Sequence, residues 1–208
     1  MFSRITSTAG ILCLSLVFFS CTQNAEVQQA QEKDTTSFVS STEEVEDATI
    51  IKVQSEPDTV KGSLKAVAKE NIAGVNITVR YHSPAVRKRV IWGGLVAYNQ
   101  VWVTGAHSAT TLELDGPIRL GGKEVPAGKY ALFTIPGEKE WTVILNRNWE
   151  QHLADEYSEA EDMMRLTVKP EQASHQERLR YAIQPAGADK GTLVIHWDRL
   201  RIPISIGQ

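Results

Sequence analysis

The sequence predicts a mainly β fold, an antiparallel β-sandwich with one short helix, and three observations carry that expectation. From residue 61 onward, short runs alternate apolar and polar side chains, the period of a strand with one buried face. Proline and glycine interrupt those runs at hairpin spacing. A single stretch has apolar spacing closer to the helical period. A jelly roll is one arrangement that fits, and the pairing order is left open.

In chain order, Leu64, Ala66 and Ala68 share one face before a turn near Gly74. Val75, Ile77, Val79 and Tyr81 share a face after it, and Pro84 ends this second strand of a hairpin. NQVWVTG and SATTLEL read as two short strands joined at Gly105. Further strands follow, punctuated by Gly121-Gly122, Pro126-Ala127-Gly128 and Pro136-Gly137, where proline presets φ and glycine accepts positive φ. Asn148 to Arg165 is the helical stretch. RLTVKPEQ, ERLRYAIQP, GTLVIHWD and LRIPISI then return to alternation, for about ten strands in all.

The N-terminal sixty residues obey different physics. Arg4, an apolar run from Ile11 to Phe19, and Ser20 before Cys21 predict a signal peptide over residues 1–20 with a lipobox-like end. The run is short for a bilayer span, which takes roughly 20 residues. Cys21 is the expected lipidation site, which would anchor the chain to the cell envelope, on its periplasmic face or at the cell surface. The other cysteine, Cys13, lies in the segment to be removed, so no disulfide and no catalytic thiol is expected. Residues 22–60 carry nine acidic side chains against two lysines and a single aromatic residue, Phe38, a composition too polar to offset ordering entropy. Residues 21–60 therefore read as a flexible acidic tether, and 61–208 as one domain.

That domain has nineteen Lys and Arg against sixteen Asp and Glu, a net charge near +3 that is too mild for nucleic acid binding. Its densest basic spot, Arg87-Lys88-Arg89, reads as a solvated turn. GGKEVPAGKY lacks the spacing and the following helix of a phosphate loop. No HExxH, CxxC or GxSxG occurs. The acidic run around Asp155 to Asp162 lacks the spacing and glycine of a calcium loop. The sequence calls for no cofactor and no metal, although three of the widely spaced histidines would suffice for a metal if they converged. Of the five tryptophans, Trp141 and Trp197 sit within alternating strands and read as core, whereas Trp92, Trp102 and Trp149 lie near strand ends and read as a pocket rim. With Tyr81, His82, Thr104 and His107 they are the candidate ligand-binding residues. Neighbours on a strand alternate faces, so Trp102 and Val103 should point oppositely.

The blocks YHSPAVRKRVIWGGLVAYNQVWVTGAHSATT, VPAGKYALFTIPGEKEWTVILN and YSEAEDMMRLTVKP, in this order, resemble the family called domain of unknown function 2911, extracytoplasmic proteins of Gram-negative bacteria. The likeness runs from about Lys61 to the C terminus. In that pattern the central segment reads W-R-T-G-A-N-x-A-T. This chain matches at Trp102, Thr104, Gly105, Ala106, Ala109 and Thr110, but has Val103 for the arginine, His107 for the asparagine and Ser108 where an acid is frequent. Lys88 stands where the pattern has glycine. The resemblance implies fold and location, and no reaction. The leading expectation is a binding module for a small molecule, glycan or peptide. The alternatives are a hydrolase, metal-dependent or histidine-based, that uses His107 with His82, and an envelope scaffold whose partner is a protein.

Overall fold

The computed structural model describes residues 48–208. The expected leader, Cys21 and the acidic segment up to residue 47 lie outside the described residues. Ten strands form: β1 (Leu64–Ile72), β2 (Val75–Ser83), β3 (Thr111–Leu114), β4 (Ile118–Leu120), β5 (Lys123–Val125), β6 (Gly128–Ile135), β7 (Trp141–Asn146), β8 (Asp162–Val168), β9 (Glu171–Pro185) and β10 (Lys190–Gly207). They make two antiparallel sheets, β1-β2-β3-β6-β7-β8 and β5-β4-β10-β9. The larger sheet is two meanders side by side, not the paired Greek keys of a jelly roll.

The alternation in β2 is what places the core. Val75, Ile77, Val79 and Tyr81 are buried between the sheets, while Asn76, Thr78, Arg80 and His82 point outward. Ala73 and Gly74 both have positive φ, the two-residue turn that matches strand twist, and Gly121 and Gly122 repeat the device between β4 and β5. A second, smaller apolar cluster sits on the outer face of the large sheet. Leu132 of β6 faces the main core, whereas Ala131 and Phe133 join Ile144, Val103 and Ala109 outside it. Central strands β6 and β7 are thus buried on both faces, which needs something to cover the outer one.

The cover is the stretch read as a helix over 148–165. Its helical part is one 3-10 turn, Glu159–Glu161, and β8 already begins at Asp162. Trp149, Ala154 and Tyr157 pack on the outer cluster from a series of turns in which Leu153 has a φ of 50°. Their spacing mimics a helical stripe because successive turns return to the same apolar surface. Asn146 holds the base of this segment, donating from Nδ2 to the carbonyl of Ser158 (2.9 Å) and to Asp162 (2.8 Å).

Two strand assignments also change. NQVWVTG makes only one bridge, Trp102 with Thr134, rather than a strand. GTLVIHWD and LRIPISI are one strand, β10, bent at irregularities on either side of Asp198, whose φ is 51°.

The folded unit starts before Lys61, so the segment read as tether ends earlier than residue 60. Thr49 bridges Ala66 of edge strand β1, and Ile51 is buried. The Gln54 carbonyl accepts from the Glu177 amide (2.7 Å), and Gln176, fully buried, accepts from the Gln54 amide (3.1 Å) and donates to the Lys52 carbonyl (3.2 Å). Arg178 is 1 % exposed and ion-pairs through Nε with Asp58. Its other nitrogens donate to the carbonyls of Ser83 (2.7 Å), Val60 (2.8 Å) and Gly62 (3.3 Å). This strap is held by polar groups of β9 reaching out of the sandwich, with little apolar burial of its own.

After β2 the chain makes a tight turn, Val86 to Arg89, closed by the Arg89 amide on the Val86 carbonyl (3.0 Å). Both central residues, Arg87 (49°) and Lys88 (58°), have left-handed φ. For residues other than glycine that conformation costs roughly 1–2 kcal/mol each.

Candidate functional site

Two separate places receive the candidate residues, and a third place holds none of them. The first is an indole cluster in the main core. Trp197 of β10 and Trp141 of β7 are fully buried there. Trp92 and Trp102, from the long connection between β2 and β3, close over them and are half-buried. Trp102 stacks on Trp197 at 5.8 Å and 18°, and Trp92 meets Trp141 edge-on at 4.9 Å. Val103 packs on the opposite side of the sheet in the outer cluster, the alternation that the sequence predicts. Nε1 of Trp92 and of Trp141 is buried without a hydrogen-bond partner among the described residues. Tyr81 belongs to the same core: it is 4 % exposed, its ring lies 4.5 Å from that of Tyr181, and its hydroxyl accepts from the Tyr181 amide (3.1 Å). Burial pushes the Tyr81 phenol up to about 12. It is a structural side chain with no access to a ligand.

The second place is the turn Val101 to Thr111. Thr104 is fully buried with a φ of 53°, and four hydrogen bonds hold it there. Its hydroxyl reaches the Trp102 carbonyl (3.1 Å) and the Thr134 hydroxyl (2.9 Å), and its carbonyl accepts from Thr110 (3.1 Å) and Tyr181 (2.9 Å). A Cβ on Gly105 would sit 2.7 Å from the Thr110 hydroxyl oxygen, so the glycine is required by close approach. His107 is exposed at the tip, at a φ of 62°, with its carbonyl accepting from the Leu153 amide (2.6 Å). Its ring meets that of half-buried His82 edge-on at 5.2 Å. The structure therefore does unite these two histidines, on the outer face of the large sheet and on the far side of that sheet from the indoles. No group of three or more His, Cys, Asp or Glu side chains suited to a metal occurs among the described residues. Trp149 packs on the outer cluster that Val103 and Ala109 of this turn help to form, with the Lys129 ammonium 3.7 Å from its ring centre.

The third place is one that the sequence reading missed. A cleft of about 730 Å³ is lined by Tyr98, Asn99, Gly137, Glu138, Lys139, Glu140 and Lys169. It forms where the β6–β7 turn, the β8–β9 turn and the middle of the 84–110 connection meet. The Asn99 amide donating to the Pro136 carbonyl (2.7 Å) fastens two of these together. Tyr98 is half-buried, with its ring against the backbone of Gly93, so it is held in place as a flat surface. Two ammonium and two carboxylate groups balance the cleft's charge. In the sequence these residues look like ordinary turn punctuation, and no spacing links residues 98–99 with 137–140.

A family model described as protein of unknown function (DUF2911) matches residues 63–206. The chain belongs to the DUF2911 family. No curated protein and no solved structure matches it. The matched span of the DUF2911 domain covers the ten strands as far as Ile206 and the connection that carries Trp92, Tyr98, Trp102 and His107. His107 holds a left-handed φ of 62°, a conformation that asparagine tolerates better than most residues, which accords with the asparagine that the resemblance implies there.

His107 has an electrostatic consequence for the DUF2911 domain. Burial first, and then the charges of His107 and Lys65, lower the His82 pKa. The native state thus binds this proton less readily than the unfolded chain, whose value is about 6.5. Stability from neutral His82 is complete above about pH 6.5 and falls as pH drops through that value toward the lower native one. Urea midpoints followed from about pH 7.5 down to about pH 5 should decline less steeply for His82→Gln than for the natural chain. Parallel curves would show that His82 contributes nothing to the pH dependence.

Proposed function

We propose that this DUF2911 protein is an extracytoplasmic, lipid-anchored binding module whose ligand occupies the Tyr98 cleft. The observation that carries the reading is the cleft itself, an open concavity where two hairpin turns meet the connection between β2 and β3. It offers one held aromatic face, an amide, and both signs of charge. A flat, polar, nearly neutral ligand fits such a lining better than a lipid or a polyanion, and a glycan or glycopeptide has that character. The anchor is supported by the apolar run from Ile11 to Phe19 and by Ser20 directly before Cys21.

Calorimetric titration with chitotetraose, a muramyl dipeptide and a neutral tripeptide tests the cleft. One of these should bind saturably, and Tyr98→Ala should weaken it by about tenfold, the scale of one lost aromatic contact. Flat titrations with all three would overturn the reading. The anchor is tested separately by the mass of the mature N terminus: an acylated Cys21 supports it, and a free thiol or an uncleaved leader overturns it.

A further inference from the structure

Six large apolar side chains are exposed among the described residues, and their distribution is uneven. Ile50 (73 %), Val53 (69 %) and Val60 (49 %) lie on the strap, and Val90 (74 %) and Leu95 (50 %) on the connection after β2. Only Leu153 lies elsewhere. The strap and the connection are one surface, because both are fastened to β9. The Val86 amide donates to the Glu177 carbonyl (2.8 Å), the Arg87 amide to the Glu177 carboxylate (2.9 Å), and the Glu177 amide to the Gln54 carbonyl (2.7 Å). An Arg87 guanidinium nitrogen also donates to the Val60 carbonyl. The Leu95 amide closes on the Val90 carbonyl (3.0 Å), so both side chains leave the same small loop.

Beside that loop stand Arg87, Lys88 and Arg89, all exposed. The strap adds Lys52 and Glu56, while the Asp58 charge is consumed by buried Arg178. The surface therefore joins unpaired apolar side chains to an excess of positive charge. Its turn is strained: Arg87 and Lys88 are held at left-handed φ where glycine would sit freely. Strain retained at the surface is accounted for when the side chains themselves are needed.

We propose that Arg87 to Leu95, together with Val60, forms a face that docks on an anionic lipid bilayer. Valine and leucine enter the boundary between headgroups and acyl chains, and the three cations meet the negative surface around them. This holds the domain against the membrane independently of any acyl chain, and it does not rest on the Tyr98 cleft. An acidic protein would satisfy the cations equally, but exposed Val90 and Leu95 stand together on one small loop, which suits insertion better than a flat interface.

The test uses residues 22–208, which lack Cys21 and hence any lipid, and contain every described residue. Sedimentation is measured with vesicles of phosphatidylcholine alone and of phosphatidylcholine mixed with phosphatidylglycerol. Binding is expected to the mixed vesicles only, and to fall with added salt. Lys88→Gly is the informative variant. Relief of turn strain should raise its melting temperature, while loss of one cation near the surface should weaken vesicle binding about fivefold, equivalent to about 1 kcal/mol. Leu95→Ser should weaken it further. Equal binding to both vesicle types, no binding to either, or unchanged binding by Lys88→Gly would each overturn the proposal. Because Lys88→Gly is expected to gain stability, lost binding in that variant cannot be blamed on unfolding.

Discussion

Arg178→Met is expected to destabilise the domain by about 3–5 kcal/mol, the usual cost of removing one partner from a buried ion pair. The substitution leaves the Asp58 carboxylate without its cation in a site where it is 8 % exposed. It also strips the Arg178 donors from the carbonyls of Ser83 and Gly62 and leaves the Val60 carbonyl to Arg87 alone. Methionine fills much of the volume, so the loss reports polar groups more than packing. Adding Asp58→Leu should restore part of the stability, since a buried pair replaced on both sides by apolar groups is often neutral. Urea unfolding of the single and double variants measures both numbers. Hydrogen exchange at the Val67 amide, which donates to Thr49 (3.0 Å), reports whether the strap has lifted. A single-variant loss below about 1 kcal/mol would mean that the strap is held by its other contacts.

Trp197→Ala should cost a comparable amount, about 3–5 kcal/mol, because it opens a large cavity in a fully buried position. The stacked partner, Trp102, loses its contact at 5.8 Å, and the near-ultraviolet circular dichroism of the indoles should collapse with it. Trp92→Phe is the informative contrast. Its indole N–H has no acceptor, so the substitution removes an unsatisfied buried donor along with some ring area, and the two changes oppose each other within about 1 kcal/mol. If Trp92→Phe proved as damaging as Trp197→Ala, the Trp92 N–H would have to be satisfied, by water for example, and the indole cluster would be wetter than its packing implies.

The residues show why some of this architecture is legible in the sequence and some is not. The face of β2 can be read from Val75, Ile77, Val79 and Tyr81, because it depends only on which way successive side chains point. Glycine pairs such as Gly121-Gly122 are legible for a similar reason: positive φ is a property of the residue and its immediate neighbours. The stretch from Asn148 to Arg165 misleads because periodicity records that apolar residues return to one surface. A helix does this, and so does a series of turns laid over Phe133 and Ile144.

The strap left no trace in its composition. It is fastened by Gln176, Arg178 and Arg180 to carbonyls and one carboxylate, and polar attachments made across more than a hundred positions of sequence have no period. His82 and His107 were both visible as candidates, yet their proximity depends on where the end of β2 meets the turn after Trp102. The cleft was the least visible feature, since its lining comes from three turns that do not neighbour one another in the chain.

From its residues alone, this protein is a mainly β chain that resembles DUF2911, with one shared apolar face on each strand of its first hairpin and with Trp141 and Trp197 in its core. Those properties follow from backbone geometry and side-chain type over a few consecutive positions. Which surfaces meet was settled by packing: the strap on β9, the irregular cover over the outer cluster, the paired histidines and the Tyr98 cleft. Such contacts arise between segments distant in sequence, through complementarity of shape, hydrogen bonding and charge that no segment carries alone.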